Sequence, residues 1–358
     1  MRGRLQSNGR HTGSGILAAA RHLFDLLENE LVKSPWSDLG PTNSCREHGE
    51  RNSEAAAGNE IHSFHPLQVK GERHCGNQVV WHWRGIVLRK VVIQFTKMNG
   101  AGNDFVLLDN RAGELQLTAE EIMYICDRHR GVGADGILVL ERAANGADFR
   151  MRYYNADGGE AEMCGNGARC FARFASRVAG PMQSLSFETP AGVIGARLRG
   201  ETVSLQMTEP EDLRLNLEIP FENEKVSAHF INSGVPHVVV PASNIEAVDV
   251  KGLGAKIRRH EMFAPKGANA NFIEKRGPAE IAIRTYERGV EDETLACGTG
   301  VVASALIFAA TENADGPISV QVRGGDKLEV SFSRRDREFT GVTLTGPADF
   351  VFDGTIEM

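Results

Sequence analysis

The chain has 358 residues, 41% of them hydrophobic and 24% charged, with a formal net charge of −7, the make-up of a soluble globular protein long enough for two domains of ordinary size. No apolar run approaches the roughly 20 residues that span a bilayer, and beyond residue 90 only 28 Lys and Arg face 38 Asp and Glu, which argues against nucleic acid as a partner. The spacing of the six cysteines fits neither a disulfide scaffold nor a C-x-x-C zinc site, so free thiols in a reducing, cytoplasmic setting are expected.

Residues 1–90 differ from the rest. They hold all three Trp and seven of the eleven His, and their charge balance is 12 basic to 9 acidic. Residues 15–32 have the spacing of one amphipathic helix, but the stretch that follows is Ser-, Asn-, Gly- and Glu-rich without periodicity. This segment reads as an extension, disordered or a wrongly assigned start. A targeting segment is one alternative, since its acid-free, Arg- and Ser-bearing opening resembles an organelle transit peptide; a small regulatory element is another. It lacks the apolar core of a secretory signal. The fold is expected to begin near Val91.

From there strand-like runs dominate, at 93–98, 105–110, 136–141, 149–155, 185–189, 193–198 and 203–207. Thr118 and Glu121 form a capping box that starts a helix expected to end at Gly131. A second helix follows Cys164 and is stopped by Gly180-Pro181. The plan then repeats, with strands at 229–232, 237–240, 270–274 and 280–287, a helix around 252–260, a further helix after Cys297, and strands at 318–323, 327–333, 342–345 and 349–352. Gly324-Gly325 suits a hairpin turn.

Two stretches read almost alike: Cys164-Gly165-Asn166-Gly167 and Cys297-Gly298-Thr299-Gly300, 133 residues apart. Each precedes a run of small and apolar residues that reads as a helix. A sulfur at that position lies near the positive end of the helix dipole, which favours thiolate, and the glycines let backbone N–H groups approach an anion. Matching pairs at similar spacing support a duplication: Asn99-Gly100 with Asn232-Ser233, Gly133-Ala134-Asp135 with Gly267-Ala268-Asn269, and Tyr154 with Tyr286. The chain is therefore expected to be α+β, with an extension at 1–90 and two similar domains at 91–212 and 213–358, joined at about 209–220. One thiol then stands on each side of a single substrate.

Other signals are weaker. The pattern Gly131-Val-Gly133-Ala-Asp-Gly136 follows a helix and leads into a strand, the reverse of the dinucleotide-binding order, so it reads as a loop. Lys97 has no companion residues for pyridoxal phosphate, and no metal-ligand set is present. Cys126 and Cys170 read as core, Cys45 and Cys75 as extension residues without a role. A lone His such as His237 is most often structural, yet Glu287-Arg288 ends a strand shortly before Cys297, so a His and a carboxylate can share a cleft with the thiols. Asn103, Asn155, Asn166 and Asn269 all stand in Gly- or Ala-rich turns.

The segments FTKMNGAGNDFVLLDN (95–110), DRHRGVGAD (127–135), YNADGGEAEMCGNGARCF (154–171), GVPH (234–237), NANF (269–272) and YERGVEDETLACGTG (286–300) together resemble the diaminopimelate epimerase family. The resemblance runs from Val91 to the C-terminus. It implies two pseudo-symmetric domains, each a strand-rich, barrel-like layer around a central helix, with the active site in the cleft between them. It also implies cofactor-independent interconversion of LL- and meso-diaminopimelate, a step toward lysine and, in many bacteria, peptidoglycan, by a homodimer. Cys164 and Cys297 would act as base and acid, supported by His237 and Glu287. The N–H groups of Gly165, Asn166, Gly298 and Thr299 would hold the reacting carboxylate, and Asn103, Asn155, Asn269 and Arg288 the distal end, with Arg288 paired to its carboxylate. Two positions depart from the family pattern: Val235 where some members carry Asn, and Gly136 where some carry Gln. Two rival activities fit the paired cysteines, a proline or hydroxyproline racemase of the same fold and a thiol redox protein. A non-catalytic binding module would leave the paired motifs without a cause.

Overall fold

The computed structural model describes residues 73–75, 78–83, 86–222 and 224–358, so the helix read at 15–32 lies outside the described residues. No described helix is long and apolar enough to cross a membrane. The chain is strand-rich, and its sheet is built twice over to one plan.

In the first half eight strands lie in the spatial order Asp349–Glu357, Ile86–Gly100, Asn103–Asp109, Gly136–Arg142, Phe149–Asn155, Ser184–Thr189, Gly192–Arg199 and Thr202–Gln206. The second half runs Glu211–Pro220, Lys225–Asn232, Pro236–Pro241, Asn269–Gly277, Glu280–Glu287, Ile318–Gln321, Lys327–Arg335 and Glu338–Pro347. In both, the third and fourth strands are parallel, as are the fifth and sixth, and all other neighbours are antiparallel. The two layers join through their eighth strands, where Ser204 pairs with Thr345.

Parallel neighbours need crossovers, and these supply the helices. Helices α1 (Ala119–Cys126) and α3 (Val250–Arg258) make the first crossover of each half, and α2 (Gly165–Ala179) and α4 (Gly298–Glu312) the second. The last two are the central helices. Gly300 through Ala309 of α4 are all buried, as its apolar sequence on every face requires. Phe171 and Ala172 of α2 share one continuous core with Val301, Leu306 and Phe308 of α4.

Three boundaries differ from the sequence reading. The stretch read as a junction at 209–220 contains a ten-residue strand, Glu211–Pro220, paired with Lys225–Asn232. Its Leu213, Leu215, Leu217 and Ile219 turn to the more buried side at every second position. A boundary between 212 and 213 therefore falls inside a strand, and Asp349–Glu357 completes the sheet of the half opposite to the one that precedes it in the chain. Helix α1 stops at Cys126 rather than Gly131, because Asp127 turns to extended backbone and its carboxylate accepts from the N–H groups of His129 and Arg130. Regular backbone also begins before Val91: Ile86–Gly100 is one strand, and its start pairs with Gln78–Trp83.

Candidate active site

The plan of the sheet aims the N-termini of α2 and α4 at each other. A Cβ built on Gly165 would lie 3.8 Å from the Cα of Gly298, and one on Gly298 would lie 3.6 Å from the Cα of Gly165. Both distances are ordinary van der Waals contact, so the two helices meet at their first residues. Cys164 and Cys297 are the N-cap residues of these two helices, each in extended backbone (φ −134°, ψ 122° and φ −119°, ψ 111°). Cys297 is buried and Cys164 half-buried.

Burial pushes both thiols above their ordinary range. The N–H groups of Gly167 and Asn166 pull Cys164 the other way, as the Thr299 hydroxyl and the Gly300 N–H do for Cys297. Neither sulfur reaches the geometry of a side-chain cap hydrogen bond. The sequence alone suggested that the helix dipole would favour thiolate, but in the folded protein desolvation outweighs it. The negative charge of Glu287 raises both thiols further. Glu287 ends its strand, accepts a hydrogen bond of 2.9 Å from Thr294 Oγ1, and is itself pushed up by burial.

His237 is fully buried beside Cys297. Its Nε2 lies 3.0 Å from Thr299 Oγ1, which in turn lies 3.6 Å from the Cys297 sulfur. Its Nδ1 lies 3.0 Å from the amide nitrogen of Asn271. Burial, with the Arg288 charge adding to it, holds the imidazole down to a pKa of about 3. Between that value and the ordinary 6.5 the unfolded chain binds a proton that the folded chain refuses, so stability falls as pH falls. This one group should remove about 1.4 kcal/mol per pH unit below about pH 6.5. Urea denaturation between about pH 7 and pH 4 should show that slope, and His237→Gln should lack it.

The asparagines read from sequence sit at element ends, where three of them make structural hydrogen bonds. Asn166 in the first turn of α2 donates to Asn103 Oδ1 (2.7 Å) and to the carbonyl of Ala296 (3.4 Å), and accepts from Arg169 Nη2 (2.8 Å). Both hydrogens of its side-chain amide are thus engaged. Asn103 donates to Asp135 Oδ2 at 2.9 Å. Asn269 Oδ1 accepts from the backbone N–H of Arg288 at 2.7 Å, which fixes where that arginine leaves its strand. Asn155 ends the strand Phe149–Asn155, opposite Gly136. The guanidinium of Arg288 reaches the carbonyl of Lys266 at 3.5 Å.

Several residues of this site were not singled out from sequence: Asp135, Arg169, Asn271, Thr285 and Thr294. Arg169, five residues past Cys164, is completely buried, and its partners are the carbonyls of Pro347 and Gly165 and the Asn166 side chain. By contrast, Arg173 and Arg177 of the same helix pair with Asp349 and Asp353. A charged residue inside an apolar helix run was the available signal, since arginine is rarely buried without a specific partner.

This arrangement can place one thiol on either side of a carbon held at two converging helix N-termini. The sequence pattern of the family described as diaminopimelate epimerase matches residues 95–212 and 229–351. The diaminopimelate epimerase of Flavobacterium psychrophilum is 41% identical over 266 residues, covering 73% of this chain and 98% of that protein. That of Chlorobaculum tepidum is 42% identical over 265 residues, covering 73% of this chain and all of its own length (100%). The chain belongs to the diaminopimelate epimerase family. Its fold is that family's two-domain, strand-rich architecture. A phenazine biosynthesis protein of the PhzF family from Bacillus anthracis shares that fold, with a TM-score of 0.57 and 17% identity over 74% of this chain and 99% of that one.

Gly136, read from sequence as a departure from the family pattern, sits where a side chain has little room. A Cβ there would lie 2.5 Å from the carbonyl oxygen of Tyr154 and 2.7 Å from Cε2 of Tyr153. Gly136→Gln should therefore cost about 1–3 kcal/mol of stability by overpacking and yield no gain in substrate affinity. Urea titration and Michaelis constants of the variant check both parts.

Proposed function

We propose that this chain is an isomerase that interconverts LL- and meso-diaminopimelate without a cofactor, Cys164 and Cys297 serving as the two bases. The observation that carries this reading is the convergence of two cysteine-capped helix N-termini, with their first glycines in contact. One thiolate removes the α-proton, breaking C–H and forming S–H, while the opposite thiol delivers its proton to the other face of the same carbon. The reacting carboxylate lies against the N–H groups of Gly165, Asn166, Gly298 and Thr299, where charge that builds up on deprotonation meets aligned donors and the positive helix ends. Glu287 and His237 set the protonation and hydrogen bonding of the pair. Asn103, Asn155, Asn269 and Arg288 recognise the distal amino-acid end, Arg288 by an ion pair.

In this reading the enzyme works as a homodimer in the cytoplasm, and its product leads toward lysine and, in many bacteria, toward peptidoglycan. Proton NMR of LL-diaminopimelate with the reduced protein in D2O tests it. Loss of the α-proton signal with growth of the meso isomer is the expected result. Exchange with proline and none with diaminopimelate would move the assignment to the rival racemase.

A further inference from the structure

The second half of the duplication holds a polar device that the first half lacks. Gly167 and Gly300 occupy the same place in the first turns of α2 and α4. A Cβ on Gly167 would meet the side chains of Leu138 and Phe105, whereas one on Gly300 would meet Asn271 Oδ1 at 2.5 Å and the Cys297 sulfur at 3.4 Å. An amide thus lies under the turn that carries Cys297, and aliphatic and aromatic carbon under the turn that carries Cys164. Asn271 stands in the strand Asn269–Gly277 and is completely buried.

Its hydrogen bonds leave little freedom. The amide nitrogen lies 3.1 Å from the carbonyl of Val238, which can only accept, so this atom must be the donor. Asn271 Oδ1 then accepts from Thr285 Oγ1 at 3.0 Å. The same amide nitrogen faces His237 Nδ1 at 3.0 Å, so that ring nitrogen must accept. In a neutral imidazole the proton then belongs on Nε2. From there it is donated to Thr299 Oγ1 at 3.0 Å, because the Asn269 amide nitrogen, the other neighbour of Nε2, is farther off at 3.4 Å and offers no lone pair. Having accepted this bond, the Thr299 hydroxyl has one hydrogen to give, and the Cys297 sulfur lies 3.6 Å away.

We propose that Asn271 is a positioning residue for Cys297: it fixes His237 as the Nε2–H tautomer, which turns the Thr299 hydroxyl toward the sulfur as a donor. The polarity of this chain favours the Cys297 thiolate selectively, since a sulfur carrying charge is the better acceptor. Among the described residues Cys164 has no such side-chain relay, only the N–H groups of Asn166 and Gly167, so the two thiols are tuned by different means within one pseudo-symmetric frame. The inference rests on the proposed function only in treating Cys297 as a reacting thiol.

The test uses the intact chain with 15N-labelled histidine. The wild-type protein should show a proton on Nε2 of His237 and none on Nδ1; a proton on Nδ1 would overturn the proposal without any variant being made. In Asn271→Asp the carboxylate accepts from Nδ1, so the proton should move there and Nε2 should take the Thr299 hydrogen. Alkylation by iodoacetamide, followed by peptide mass mapping, should then be about tenfold or more slower at Cys297 and unchanged at Cys164. A moved tautomer with unchanged Cys297 reactivity would sink the relay. Absence of α-proton exchange by the wild type would instead sink the epimerase reading and leave the tautomer and thiol results standing.

Discussion

Replacing either Cys164 or Cys297 by alanine should lower epimerisation at least about 10³-fold, since each removes one of two proton-transfer groups that act in the same turnover. The double variant should be scarcely worse than either single one, because groups that act as a unit are non-additive. The isotope pattern is more telling than the rate. With one thiol gone, the other can still take a proton from the face it touches and return a solvent deuteron to the same face. Each single variant should therefore exchange the α-proton of one stereoisomer and leave the other untouched, the preference reversing between Cys164→Ala and Cys297→Ala. Deuterium incorporation into recovered LL- and meso-diaminopimelate reads this directly. Inversion that persists in either variant would remove the two-base mechanism.

Arg288→Met should have the second-largest effect. The Arg288 backbone is tied to Asn269 Oδ1 at 2.7 Å, and among the described residues its guanidinium bonds a carbonyl alone, that of Lys266. Its neighbours Arg258 and Arg284 are instead engaged by Glu291 and Glu293. A hydrogen bond to a charged partner contributes about 1.5–3 kcal/mol, so kcat/KM for diaminopimelate should drop by roughly 10- to 150-fold, most of it in KM. Arg288→Lys should recover part of the loss, because the charge returns without the planar fork. Steady-state kinetics of the three proteins decides, and an unchanged KM in Arg288→Met would remove the ion pair with the distal carboxylate from the reading.

Much of this architecture could be read from the chain because the duplication repeats its signals. The two Cys-Gly-x-Gly turns, the capping box at Thr118 and the stop at Gly180 are local, and each leaves a mark where it acts. The strand Glu211–Pro220 was equally marked, by Leu213, Leu215, Leu217 and Ile219 in strict alternation, but Glu209, Pro210 and Pro220 around it read as a linker. What the sequence could not carry was contact between distant segments. The Arg169 guanidinium depends on the carbonyl of Pro347, 178 residues away, and Asn271 on a histidine 34 residues before it. The surroundings of the thiols divide along the same line. The helix N-terminus is local and visible in sequence, whereas the burial that outweighs it comes from the whole fold.

The strand Asp349–Glu357 also shows where the repeated unit begins. Each half is a strand followed by seven more in the same order, but only the second half, from Glu211 to Pro347, is continuous. The first starts at Asp349, runs to the C-terminus and resumes at the amino end of the domain, where the backbones of Val91 and Met358 exchange hydrogen bonds of 3.2 and 2.9 Å. The duplication thus closes on itself, residues 349–358 lying beside the strand that begins at Ile86. A fragment cut at residue 212 would expose one side of the long strand Ile86–Gly100 as a bare edge, so the nine-residue strand Asp349–Glu357 is a clasp that adds to the eighth-strand seam in holding the two halves, and with them the opposed helix ends, together.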